Sequence, residues 1–344
     1  MERVGNPDLG RLEYLRLDKN EDIIGFPPEF VDALKKEITS DFLSAYPETG
    51  SLYRKIADHV GLDVKNIYVT AGSDAAIKAV FEVFVKKGDN VVLLDPTYAM
   101  FYVYADMFQA RLVKISYDKD LSLSAEDVIK AIDEYAPALV CIANPNSPTG
   151  TVISPKGIKD IACAAAKHDS VVLLDEAYYP FYADSSIGLV RGNPNLVVTR
   201  TFSKAMGLAS ARIGFAAAGE KMIGALGKVR PMYETNAFAV KFAEVIMDNY
   251  HLVEKNLAEV KKSKRFLEEQ LRAKGIPHFK SHANFILIDV GSFERSVRIG
   301  KALFDRKILI KSGFKDPALR NCIRISIGSV EQMTRFMENL EDVI

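Results

Sequence analysis

The sequence predicts an α/β fold, with a mostly parallel sheet in a larger domain and a second, smaller α+β domain. Three observations predict it. Between residues 67 and 218, short β-branched runs alternate with amphipathic stretches, and those runs are apolar at consecutive rather than alternate positions. After about Asn236 the pattern gives way to one long helical stretch. Consecutive apolar residues mark strands covered on both faces, the condition of a parallel sheet flanked by helices.

In chain order, Leu15-Arg16-Leu17 is a short apolar segment and residues 28–37 read as a helix. The residues up to Leu43 are too few to fold alone and are expected to pack onto the smaller domain. Strands are expected at 67–70, 91–94, 139–142, 171–174, 196–199 and 213–216, with helices at 74–86, 125–134 and 155–167 between them. That βαβα order makes the sheet mostly parallel. A single helix over 239–273 is expected to bridge two domains. The remainder reads strand (285–290), helix (294–304), two strands (308–311 and 322–327) and a terminal helix (330–343). The larger domain therefore covers 45–235, and the smaller covers 1–44 and 236–344. The chain shows no internal repeat, low-complexity segment or linker.

Lys and Arg number 45, as do Asp and Glu, so no global field favours nucleic acid or an anionic membrane as a partner. Cys141, Cys163 and Cys322 are odd in number, widely spaced and set in apolar runs, which suits buried reduced thiols and a cytoplasmic location. No apolar run approaches the roughly 20 residues that cross a bilayer. The first six residues, Met1 to Asn6, lack the apolar centre of a signal peptide. The histidines His59, His168, His251, His278 and His282 do not fall at metal-ligand spacing beside cysteines or carboxylates, so no metal site is expected.

The chemistry concentrates between Asn144 and Arg212. Lys204 lies in Thr201-Phe202-Ser203-Lys204, with Arg212 eight positions on, downstream of Asp175-Glu176-Ala177-Tyr178 and Asn144-Pro145-Asn146-Ser147-Pro148-Thr149-Gly150. Together these read as a pyridoxal-phosphate site: an amine for the aldehyde, a phosphate cradle, a carboxylate for the pyridine nitrogen and a donor for the ring oxygen. Ala71-Gly72-Ser73-Asp74 follows a strand and opens a helix, where unpaired N–H groups attract an anion. Taken alone, that segment is more simply an N-cap by Ser73 or Asp74. Thr201 and Ser203 add hydroxyls from another strand end, and Arg212 can fork onto phosphate oxygens.

Asp175 ends an apolar strand, so its carboxylate emerges at the carboxyl edge of the sheet, where ligands bind in open α/β folds. There it can keep a pyridine nitrogen protonated, which strengthens the ring's electron pull, and Tyr178 can donate to the ring oxygen. The plainer reading of Asp175 is a strand-end cap. Asp95-Pro96-Thr97-Tyr98 places an aromatic that can stack on a flat ring, with Tyr102 as the fallback and core packing as the alternative. Arg324 alternates with apolar residues in Ile323-Arg324-Ile325-Ser326-Ile327-Gly328, so it is expected to face away from them, either clamping a substrate anion or forming a surface ion pair. Lys261, Lys262, Arg265, Glu268 and Glu269 read as the wet face of a long helix.

On these residues the chain resembles the fold-type I pyridoxal-phosphate aminotransferases of class I/II, and within them looks most like the histidinol-phosphate aminotransferases. The likeness runs from Leu17-Asp18-Lys19-Asn20-Glu21 through Tyr46-Pro47-Glu48 and the motifs above to Arg324. It implies a seven-stranded central sheet and a ping-pong transfer between a small-molecule amino donor and a 2-oxo acid. It further implies that Lys204 carries the cofactor, Asp175 pairs the ring nitrogen, Tyr178 meets the ring oxygen beside Asn146 and Ser147, and Tyr98 stacks on the ring. Ser73, Asp74, Thr201, Ser203 and Arg212 would hold the phosphate, while Asn20 and Arg324 would contact substrate. Tyr46 would reach the neighbouring subunit's site, which implies a homodimer.

Three positions depart from the family pattern. Ser147 stands where an asparagine usually precedes Pro-Thr-Gly, Lys311 stands where a second anion-binding arginine is common, and the subfamily's leading tyrosine-proline segment is missing. An alternative on the same parts is a decarboxylase of an amino-acid phosphate, distinguished by release of carbon dioxide without a keto product. A non-catalytic ligand-binding module is a further alternative, opposed by the intact Lys204, Asp175, Tyr178 and Arg212 set. A dinucleotide oxidoreductase lacks its Gly-x-Gly-x-x-Gly after the first strand.

Overall fold

The computed structural model describes residues 10–344, so the reading made of Met1 to Asn6 lies outside the described residues. The elements begin with β1 (Leu15–Arg16), α1 (Pro28–Lys36), α2 (Ser40–Ser44) and α3 (Gly50–Val60). Next come β2 (Ile67–Thr70), α4 (Ser73–Phe84), β3 (Asn90–Asp95), α5 (Ala99–Met107), β4 (Arg111–Ser116) and α6 (Ala125–Tyr135). They continue with β5 (Leu139–Ala143), α7 (Pro155–Ala166), β6 (Val171–Asp175), β7 (Leu196–Thr201), β8 (Gly214–Ala218) and α8 (Glu220–Leu226). The chain closes with α9 (Ala237–Asp248), α10 (Tyr250–Ala273), β9 (Phe285–Asp289), α11 (Phe293–Asp305), β10 (Ile308–Leu309), β11 (Cys322–Ser326) and α12 (Val330–Glu341).

Seven strands form the main sheet in the order β2-β8-β7-β6-β5-β3-β4. All neighbouring pairs are parallel except those of β8, which runs antiparallel to both β7 and β2. The strand order turns back at β3, with β4 on one side and β5 on the other, and the carboxyl ends of β3, β5, β6 and β7 share one edge. The start of β8 meets that edge, because Gly214 pairs with both Thr70 and Thr201, the last residues of β2 and β7. Strands β5 and β6 are buried along their whole length, and Val91, Leu93, Leu139, Leu173 and Val197 pack with Ile77, Val80, Phe81 and Phe101 of the helices. Each such side chain contributes about 1.5–3 kcal/mol on burial.

By packing density the chain divides into two units, one spanning Gly25–Leu257 with Ser281–Ala283, the other holding the segment up to Ile24, Ala258–Lys280 and Asn284–Ile344. Residues 25–44 and 236–257 thus cluster with the larger unit, whereas the sequence reading set them in the smaller domain. Side-chain contacts account for the difference: Lys55 of α3 pairs with Asp248 and the His59 and Tyr250 rings lie 4.6 Å apart, which ties 236–257 to α3, while the Phe42 and Phe238 rings, edge to face at 5.2 Å, and Lys241 with Glu37 at 3.3 Å join 25–44 to α9. The single helix expected over 239–273 is two helices. Asn249 leaves the helical conformation and caps α9, its side-chain Nδ2 donating to the Val245 carbonyl at 2.9 Å.

In the smaller unit β9 and β11 pair antiparallel, β1 and β10 pair parallel, and Lys311 bridges Arg324. Among the described residues no helix is long and apolar enough to cross a membrane. Cys141 and Cys322 are buried, but Cys163 is exposed, since it lies on the outer face of α7.

Candidate active site

Four strand ends and one helix start meet at the carboxyl edge of the main sheet. The tightest approach is at Gly214. A Cβ there would stand 2.5 Å from the Ser73 nitrogen, 2.6 Å from the Arg200 carbonyl oxygen and 2.8 Å from the Gly72 carbonyl carbon. Only glycine lets the start of α4 sit against β7 and β8 in this way. Gly72 itself has φ of 86°, and a Cβ on it would meet Arg212 Nη2 at 2.9 Å. The Arg212 guanidinium therefore lies against the first turn of α4, where unpaired N–H groups and the helix dipole already favour an anion. Arg212 Nη1 donates to Ser203 Oγ at 3.0 Å, and Thr201 Oγ1 lies 3.0 Å from the same oxygen. A forked cation, two hydroxyls and a helix N-terminus thus converge, a donor set that fits a phosphate.

At the next strand end, Asp175 is almost wholly buried and accepts the Thr199 hydroxyl at 2.7 Å across the β6–β7 pair. Burial pushes its carboxyl up to about 7; Thr199 and Lys204 favour the charged form, while Asp74 and Glu176 oppose it. A protonated pyridine nitrogen beside it would add the positive charge that holds so buried a carboxylate ionised. The Lys204 Nζ stands 5.9 Å from the centre of the Tyr178 ring. Tyr98 donates to Asp74 Oδ1 at 3.4 Å, and burial, with the Asp74 and Asp175 carboxylates and the Tyr178 phenol nearby, raises its hydroxyl pKa strongly. Asp74, Tyr98, Asp175, Tyr178 and Lys204 therefore share one electrostatic neighbourhood. The residues present fit pyridoxal phosphate at both ends, ring and phosphate.

Asn146 is buried with its amide engaged inside the protein. Its Nδ2 donates to the Pro96 carbonyl and to Thr149 Oγ1, both at 2.9 Å, and its Oδ1 accepts from Thr97 Oγ1 at 2.7 Å. It clasps the loop after β5 to the loop after β3, leaving the half-buried Ser147 beside it. Tyr46 lies on the surface of the larger unit, 71% exposed, its ring stacked on Tyr233 at 3.9 Å.

Asn20 and Arg324 are brought together in the smaller unit. Asn20 takes a left-handed φ of 55°, its N–H donates to Ser326 Oγ at 2.8 Å, and its carbonyl accepts from Asn284. Arg324 is 9% exposed on a strand buried throughout, its guanidinium over the Phe285 ring and Nη2 donating to the Asp18 carbonyl at 2.8 Å. Arg324 sits on the face of β11 opposite Ile323 and Ile325, but that face is covered as well, so it forms no surface ion pair. Lys311 exchanges backbone hydrogen bonds with Arg324 across the bridge, so the two cations project from the same face.

Sequence reasoning passed over Thr199, Gly214 and the buried pair of Glu176 and Arg200. The one signal for any of them is a charged Arg200 inside the run Leu196-Val197-Val198-Thr199-Arg200-Thr201.

The model of the family "Aminotransferase class I and II" matches residues 13–340. The chain is 31% identical to histidinol-phosphate aminotransferase 1 of Carboxydothermus hydrogenoformans over 332 residues, 96% of this chain and 93% of that one. It is 32% identical to the histidinol-phosphate aminotransferase of Ruminiclostridium cellulolyticum, covering 95% of this chain and 91% of that protein. The crystal structure of the Sinorhizobium meliloti histidinol-phosphate aminotransferase in complex with pyridoxal 5'-phosphate superimposes with a TM-score of 0.89 at 27% identity, covering 99% of this chain and 94% of the other.

Proposed function

The chain belongs to the class I and II aminotransferases and is a pyridoxal-phosphate-dependent transaminase, and from that premise we propose which residues act and on what. When bound, pyridoxal phosphate supplies an aldehyde that takes up an amino group and a ring that withdraws electrons from the carbon bearing it. Lys204 holds the cofactor covalently at rest. Its amine, when free, would be the base that carries the proton from the amino-bearing carbon of the substrate to the cofactor carbon that receives the amino group. Asp175 pairs the ring nitrogen, and Thr199 orients that carboxylate. Tyr178 and Ser147 meet the ring oxygen, Tyr98 lies along the ring, and Asn146 holds the loop on which Ser147 stands. Ser73, Asp74, Thr201, Ser203 and Arg212 form the phosphate cup.

We further propose that Asn20 and Arg324 contact the substrate, and that the donor is an amino-alcohol phosphate of the histidinol-phosphate type with a 2-oxo acid as acceptor. The names of the relatives at about 30% identity support this, as do the cations of Lys311 and Arg324 on one face of their bridge. The reading also includes a homodimer in which Tyr46 completes the neighbouring site, and a cytoplasmic location in keeping with three free cysteines. Nothing in the relatives favours the decarboxylase.

The observation that carries the assignment is the convergence of Lys204, Asp175 and Tyr178 at one strand edge beside the Arg212 cup. Its test is a half-reaction: loss of the cofactor's visible band when the loaded protein meets histidinol phosphate, set against a panel of amino acids. Lys204→Ala should fold and bind the cofactor without a covalent bond, yet transfer no amino group. Turnover retained in that variant would reject the role of Lys204, and no response to histidinol phosphate would reject that donor.

A further inference from the structure

Strand residues alternate faces, so Glu176 and Arg200 point to the side of the sheet opposite Asp175, Thr199 and Thr201. There they form a buried ion pair, 3% and 7% exposed, with Arg200 Nε and Nη2 donating to Glu176 Oε2 at 3.1 and 2.9 Å. Arg200 Nη2 also donates to Ser185 Oγ at 2.7 Å, and its guanidinium carbon lies over the Tyr179 ring, 3.4 Å from the centroid. Glu176 is saturated in turn: Ser185 Oγ donates to Oε2 and the Ser186 N–H to Oε1, both at 2.7 Å. The neighbouring cavity, about 20 Å³ and bordered by His59, Tyr179 and Thr201, has room for no more than one water.

The pair ties together three segments, the end of β6, the end of β7 and the loop over 179–186. Each begins or ends at a residue of the site: Asp175 precedes Glu176, Thr201 follows Arg200, and Tyr178 precedes Tyr179. Their mutual spacing decides whether one ligand can touch all three.

We propose that Arg200 is a positioning residue for this site: by clamping Glu176 and Tyr179 on the back of the sheet it fixes where Asp175, Tyr178 and Thr201 stand on the front. The inference rests on the proposed cofactor site. A fork is required, because Arg200 spreads its contacts over a carboxylate, a hydroxyl and a ring face, which a point charge cannot do. Glu176 is the matching half, and neither residue reaches substrate or cofactor.

The test uses Glu176→Gln combined with Arg200→Met, which removes both charges, strands neither, and keeps an acceptor for the Ser186 N–H. Wild type and variant are titrated with pyridoxal phosphate to give Kd, the pH midpoint of the bound cofactor's visible band is measured, and near-ultraviolet circular dichroism checks the fold. The expected result is a folded variant whose Kd rises about tenfold or more, with a displaced pH midpoint. A folded variant that binds within about twofold of wild type, at the wild-type midpoint, would show that the pair holds only the fold and would overturn the proposal while leaving the cofactor site intact. If wild type itself shows no visible band, the site assignment falls and this inference with it. Should the double variant not fold, Arg200→Lys, which keeps the charge and loses the fork, is put through the same two measurements and judged by the same limits.

Discussion

Burial pushes the Asp175 carboxyl from an ordinary value of 3.8 up to about 7, even though the Thr199 hydroxyl and the Lys204 amine both favour its charged form. In the cofactor-free protein the native state therefore keeps a proton that the unfolded chain has already released. The stability from this group is fully present below about pH 4 and is lost as pH rises through about 7, by up to about 4 kcal/mol. Asp175→Asn, which keeps the shape without the titration, should flatten the fall in Tm of the cofactor-free protein between pH 4 and pH 7. Parallel profiles for variant and wild type would show that Asp175 is not the titrating group. At the other end of the site, Arg212→Lys exchanges a fork for a point charge, and cofactor affinity should fall by about 1.5–3 kcal/mol, read as Kd by equilibrium titration. Asp175 and Lys204 were legible in the sequence because each follows a strand whose apolar run stops abruptly. Arg200 was not, since a charge inside an apolar run finds its meaning only in a partner across the sheet, and one sequence does not print the register.

The strands that the sequence exposed most clearly, β5, β6 and β7, are buried on both faces. The expected set missed β4, which is paired on one side only and carries Arg111 and Lys114 toward solvent, a polar dressing typical of sheet edges. It also missed α5, whose run from Ala99 to Met107 is apolar around most of its circumference and so lacks helical periodicity. The reversed direction of β8 left no mark in composition, yet it brings Gly214 to the ligand edge rather than the far one. Gly214→Ala tests that arrangement, because the added methyl would meet three backbone atoms of the Gly72–Ser73 turn and of β7, none of which can rotate away. The expected loss is about 1–3 kcal/mol in thermal unfolding, together with weaker cofactor binding as the start of α4 is displaced from Arg212. Unchanged Tm and affinity would mean that this turn is not held where the structure puts it.

For the whole molecule, the sequence reading divides the chain where the hydrophobic period changes, whereas residues 25–44 and 236–257 cluster with the larger unit, the latter tied to α3 through Lys55 with Asp248 and His59 with Tyr250. Close to those segments in the chain, the larger unit carries exposed apolar side chains: Leu43, Tyr46, Met232 and Tyr233 are 62%, 71%, 84% and 51% exposed. Side chains of this kind are costly to leave in water and are the composition of an interface core. One residue after Tyr233, Glu234 accepts the Tyr68 hydroxyl at 2.6 Å and also the backbone N–H of Ala71, one residue before the Gly72 turn of the cup. Association at these side chains and cofactor binding should therefore be linked. We expect the protein to sediment as a dimer and Met232→Asp to shift it toward monomer with weaker cofactor binding, because a buried unpaired carboxylate would oppose the interface. Tyr46→Phe, which keeps the ring and removes the hydroxyl, should remain dimeric while cofactor affinity falls by about 1.5–3 kcal/mol, the loss of one hydrogen bond to a charged group. A monomer with full cofactor affinity, by sedimentation and titration together, would remove Tyr46 from the site.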